Sequence, residues 1–189
     1  VGRVNQKLDE SVSIQTAVDW FNLCLLELAP HLLLEAYTEI PVTGGIDTYT
    51  LPSNALPNSI IQAKYQSESV ALPRLTLDVF DRSGYKVFDN KIQLLPAPTT
   101  DDVLLLWYHR LPASLSTNDL TQQPEVPPMF QNLLVLYACL QYLDIEEETE
   151  RLASIQREYD TLFTIFMRYM RKKRGNYRTF TWDVVRTRG

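Results

Sequence analysis

The spacing of hydrophobic residues changes twice along this chain, and the two changes limit the folds open to it. Up to Ala29 apolar positions recur at three- and four-residue steps, the repeat of a helix buried on one side. From 32 to 111 they come as short runs rich in Tyr, Thr, Ile and Val, cut by turn residues about every 8–12 positions. From 127 onward the helical step returns. This order predicts an α+β fold. A helical bundle of one N-terminal helix and two C-terminal helices carries an inserted antiparallel sheet or small barrel, and an extended C-terminal arm follows. The expected divisions are 1–31, 32–111, a polar connector 112–126, the helix pair 127–174 and the arm 175–189.

The first helix is expected over 9–29, with Val12, Ala17, Val18, Phe21, Leu25 and Leu28 on its buried side. Asp9, Glu10 and Ser11 supply the start signal, and Pro30 is expected to end it. Residues 32–52 read as a hairpin turning at Thr43-Gly44-Gly45, and "NSIIQAKYQ" as a further strand. "GYKVFDN" and "KIQLLPAP" form a pair bent at Asp89-Asn90, and "DDVLLLWYHRLP" is the most apolar strand. Pro127-Pro128 suit a helix start, and the run after them is apolar on most sides, which places it deep in the core. The acidic "EEETE" opens the last helix, whose stripe is Leu152, Ile155, Tyr159, Leu162, Phe166 and Tyr169.

A composition of 45% hydrophobic and 22% charged residues suits a folded core. The only cysteines, Cys24 and Cys139, lie far apart in apolar runs and read as small buried residues of a reducing compartment. No run approaches the about 20 apolar residues of a bilayer span, so no membrane partner is expected. The chain opens at Val1 without a methionine, so an incomplete N-terminus is one expectation.

Chemistry is sparse. His31 and His109 stand alone, without the neighbours of a metal site, and Gly44-Gly45 has no strand-to-helix setting for phosphate. Asp78, Asp81 and Asp89 read as solvated turn residues, and the acids at 146–150 lack the spacing of a calcium loop. No enzyme activity and no cofactor are expected.

The closing stretch is different. Residues 168–189 hold eight Lys/Arg against Asp183, a charge of +7 in a chain of −5, which leaves −12 for residues 1–167. Cations from Arg168 to Arg174 complement the negative end of the last helix, which Gly175-Asn176 are expected to stop. Beyond it, Tyr177, Phe180, Trp182 and Val184 are too apolar for a tail left in water, and "TFTWDVV" has the alternation of a strand added to a partner's sheet. Arg171, Lys172, Lys173, Arg174, Tyr177, Arg178, Phe180, Trp182, Val184, Arg186 and Arg188 are therefore the candidate partner-docking residues.

The order of elements, with "YTLPSNALPNSIIQAKY", "YKVFDNKIQLLPAP", "VLLLWYHRLPASLS" and "EVPPMFQNLLVLYACLQYLDIEEETERLASIQREYD", resembles the head-to-tail adaptor (connector) proteins of tailed bacteriophages, gatekeepers and tail tubular adaptors included. The resemblance covers roughly residues 9–170. It implies a virion neck protein, assembled in the host bacterial cytoplasm, that forms a homo-oligomeric and usually dodecameric ring under the portal. Such a ring extends the DNA channel, lets double-stranded DNA pass without sequence preference, and presents a surface to a downstream tail, nozzle or stopper protein. It further implies that Arg171 to Gly189 dock on the portal and on neighbouring subunits while the β insert faces the tail. Acidic walls suit a conduit, since basic ones would hold DNA. The alternatives are another neck or tail-completion protein, or a nucleic-acid-binding protein using its basic tail.

Overall fold

The structure, a computed structural model, describes residues 2–9, 11–76, 82–119 and 121–180, and within the last helix it describes side chains as far as 173. Four α-helices and two antiparallel sheets make the chain α+β. It divides into two compact units, Val1–Leu32 with Pro112–Gly189, and Leu33–Leu111.

In the second unit, β1 (Leu34–Val42), β6 (Asp102–Arg110) and β3 (Ala55–Tyr65) form one sheet with β6 in the middle. Strands β2 (Thr48–Thr50), β5 (Lys91–Leu95) and β4 (Gly84–Phe88) form the other. Alternate residues of the two sheets meet in a shared core, with Ala63, Leu104 and Leu106 from the first and Tyr85, Ile92 and Leu94 from the second. The β4–β5 hairpin turns at Asp89 and Asn90, both with positive φ (46° and 55°), the backbone of a tight two-residue turn.

The expected hairpin at Thr43-Gly44-Gly45 does not form. β1 pairs with β6 along its whole length, from Leu34 opposite Arg110 to Val42 opposite Asp102, while β2 pairs with β5. A nine-residue ladder on the most apolar strand outweighs a local pairing limited to three residues. The glycines serve the passage between sheets: a Cβ on Gly44 would stand 2.9 Å from the Thr99 carbonyl oxygen, and Gly45 has φ +85°. The Tyr49 hydroxyl fixes this link, accepting from the Thr43 N–H (2.8 Å) and donating to the Ile46 carbonyl (2.9 Å).

In the first unit, α3 (Asn132–Ile145) is central, and α1 (Gly2–Leu8), α2 (Ile14–Leu32) and α4 (Thr149–Phe180) all pack on it. Its buried residues run round the helix, as expected of an apolar element with neighbours on several sides. Pro128–Phe130 form a 3₁₀ turn before it. Helix α1 was not expected; Val4 and Leu8, one turn apart, bury against Ala138, Cys139 and Leu143.

Helix α2 is displaced from the expected span. It starts after Ser13, whose hydroxyl accepts the Thr16 N–H at 3.0 Å, and it runs through Pro30 to Leu32. Proline removes only the hydrogen bond to the Leu26 carbonyl, and Leu26 lies on the solvent side while Ala29 and Leu32 remain buried. Leu33, at φ 52°, ends the helix instead. The acids before α4 mostly fall outside it: Glu147 has φ 58°, and only Glu150 stands in the first turn.

Both cysteines are free and buried. Burial pushes the Cys24 thiol up to about 12 and the Cys139 thiol up to about 11, from an ordinary 9.0. An unfolded thiol ionises above pH 9.0 while the buried ones stay protonated, so this stabilisation is complete below pH 9.0 and is lost as pH rises toward 11 and 12. The expected slope is at most about 1.4 kcal/mol per pH unit for each thiol. Urea unfolding from pH 8 to pH 10.5 checks this; Cys24→Ala with Cys139→Ala should flatten the fall, and an identical fall in that variant would refute it.

Candidate docking surface

The stretch that carries the cations is the far end of α4. At 32 residues α4 is more than twice the length of α3, with 14, so the two cannot pack along the whole of α4. The contact side is a ladder of rings and aliphatic side chains. Tyr159 and Phe163 stack at 5.9 Å, Phe163 lies 6.1 Å from Phe166, and Phe166 meets Phe130 edge-on at 5.3 Å. The His31 ring, from α2, stands edge-on to Phe163 at 6.1 Å. Nearby, the Tyr137 hydroxyl donates to Glu27 Oε1 at 2.8 Å, and burial together with that carboxylate raises its pKa. Among the described side chains the last buried rungs are Phe166 and Met170. Tyr169, expected on the stripe, lies at its edge, 39% exposed and with its ring 5.3 Å from Phe130.

Beyond Met170 the contact side changes character. Arg171, Lys172 and Lys173 are all exposed, although Lys173 stands three residues after Met170, where the next buried rung would fall. Arg174, Tyr177, Arg178 and Phe180 belong to the helical backbone of α4, and their side chains lie outside the described residues. Trp182, Val184, Arg186 and Arg188 lie outside the described residues altogether.

The helix therefore does not stop at Gly175-Asn176. A single interior glycine costs about 1 kcal/mol, too little by itself to end a helix already running through more than six turns before it. Two consequences follow. The cations from Arg168 to Arg174 stand more than a turn before the helix end at Phe180, where the helix dipole has little hold on them. And Tyr177 and Phe180 follow Phe166, Met170 and Lys173 at steps of four and three, the repeat of a helix-packing seam, while Thr179 and Phe180 of the expected strand are helical.

Other chemistry gains no support. Asp89 lies in the β4–β5 turn, while Asp78 and Asp81 lie outside the described residues. His31 and His109 belong to different units. Among the described residues no cluster of His, Cys, Asp and Glu could hold a metal ion, and no helix is long and apolar enough to cross a membrane.

No curated protein matches the chain. The family model described as SU10 adaptor protein matches residues 1–185, both units and nearly all of the basic end included. A long helix at the cationic end of an acidic chain, exposed at Arg171, Lys172 and Lys173, suits a part that joins other parts, and the chain belongs to the SU10 adaptor protein family of phage head-to-tail adaptors, structural components of the virion.

Proposed function

We propose that copies of this chain assemble into a dodecameric ring between the portal and the tail, and that the ring continues the channel through which DNA passes. The observation that carries this reading is the continuation of α4 beyond Met170, the last buried one among its described side chains. A helix with cations on every described side past that point gains by packing against a surface of opposite sign. The arm Arg171 to Gly189 docks on the portal and on neighbouring copies, and the β unit faces the downstream tail, nozzle or stopper protein. Nothing in this role needs a reaction. Assembly follows from contacts made in a fixed order, with each docked arm held by several sites at once.

The acidic body has a part in it. Acids lining the lumen would let DNA slide, whereas a ring of Lys/Arg would retain it. Mixing the full chain with purified portal rings and imaging the product by electron microscopy tests the whole proposal. A second ring of twelve subunits stacked on the portal is expected, with exposed acids around its bore. Failure to bind the portal, or a bore ringed by basic side chains, would overturn it.

A further inference from the structure

Among the described residues two outward faces of the helical unit remain exposed, and they differ in sign. On α2, Val18, Leu25, Leu28 and Leu32 are buried on one side. Opposite them stand Leu23 and Leu26, 48% and 51% exposed, with Asp19 a turn before and Pro30 a turn after, all in solvent. Glu27, also exposed, adds a second carboxylate beside them. On α4, away from the ring ladder, Arg157, Thr161, Ile165, Arg168 and Lys172 follow one another at steps of three and four, and all are exposed. Ile165, 49% exposed, is the apolar centre of that face. It lines a groove of about 470 Å³ with Arg157, Glu158, Thr161 and Leu162 of α4 and Asn132 at the start of α3. The Glu158 carboxylate is paired with Lys7 of α1 at 2.8 Å, which leaves the cations of this face in excess.

Resting on the ring reading above, we propose that neighbouring copies in the ring meet by these two faces, Leu23 and Leu26 of one copy entering the groove beside Ile165 of the next. Single exposed leucines are ordinary, but here two adjoin on an acidic face while the groove that suits them lies among three cations. Each face placed against its own copy brings like charges together, and placed against the other it brings opposite ones. Two different patches that fit one another make a head-to-tail contact, which repeats from copy to copy and closes into a ring where the rotation between copies is a whole fraction of a turn. An isologous dimer uses one patch twice, and neither patch suits that.

Cysteine cross-linking of the full chain tests it. Leu23→Cys and Ile165→Cys are made as two single variants and as one double variant; the native thiols are buried and stay out of the reaction. Under mild oxidation a mixture of the single variants is expected to give the mixed disulfide in about tenfold excess over either homodimer, the ratio of an attractive to a repulsive encounter. The double variant is expected to give a ladder of covalent multimers. Arg168→Glu or Asp19→Lys should each slow the mixed cross-link, and the two together should restore it. Homodimers in equal or greater yield would overturn the proposal. Rings seen by electron microscopy without the mixed disulfide would overturn these faces and leave the ring reading standing. The mixed disulfide in chains that never close into rings would support the faces and count against the ring.

Discussion

Phe166→Ala is expected to lower the stability of the helical unit by about 3–5 kcal/mol, the cost of emptying a well-packed aromatic site. Phe166 is fully buried, and its ring lies against both Phe130 and Phe163. It joins two pieces of chain, the 3₁₀ turn before α3 and the ring ladder of α4. With it removed, Tyr169 and Met170 are the contacts that remain beyond it among the described side chains, so the loss should concentrate there. Amide exchange measures this by region. Amides of α4 should lose protection by the full amount, while those of β6, in the other compact unit, keep theirs. Ile165→Ala, one residue earlier on the exposed face, should change stability by no more than about 0.5 kcal/mol. Equal effects at 165 and 166 would mean that α4 packs by a different side.

How far the sequence discloses the fold depends on whether the deciding interaction is local. The β4–β5 hairpin is legible because Asp89-Asn90 carry the turn themselves, and β6 because its apolar run is the strongest in the chain. The pairing of β1 is not legible. Gly44-Gly45 has the composition of a hairpin turn, yet the partner of β1 lies about seventy residues away, with Tyr37 opposite Trp107. Helix α1 escapes notice because seven residues with two buried positions give too short a periodic signal. Pro30 and Gly175 mislead in the same way: each weakens a helix locally by an amount that the continuing helix outweighs.

The docking residues divide along the same line. The charge cluster of Arg171, Lys172 and Lys173 can be seen in the sequence alone, but its exposure depends on where the chain before α3 begins to cover α4, which no local pattern records. The outward faces of α2 and α4 were hidden for a related reason. In "LCLLELA" the exposed Leu23 and Leu26 look like their buried neighbours Cys24 and Leu25, and only packing tells them apart.

Deleting residues 175–189 is expected to weaken capture of the chain by portal rings at least about 100-fold, while urea unfolding of the helical unit stays unchanged within about 0.5 kcal/mol. The two halves of this expectation have separate grounds. Stability is spared because Met170, the last buried one among the described side chains, precedes the deletion. Binding is lost because the deleted segment holds Tyr177, Phe180, Trp182 and three arginines, the residue types that most often anchor interfaces. Burying each aromatic contributes about 1.5–3 kcal/mol, and part of that total is offset by ordering the segment on the partner. A second variant separates the two ways of docking. Asn176→Pro interrupts a helix at a cost of about 3 kcal/mol but is harmless to a segment that docks as a strand further on. The three- and four-residue spacing of Phe166, Met170, Lys173, Tyr177 and Phe180 along one helical backbone favours the helix, so Asn176→Pro should weaken capture nearly as much as the deletion. Wild-type capture by Asn176→Pro would restore strand addition, and wild-type capture by the deletion would remove the arm from the portal contact. Binding of the intact chain to duplex DNA, measured at the same salt, should stay far weaker than binding to the portal, because the acidic body repels what the basic end attracts.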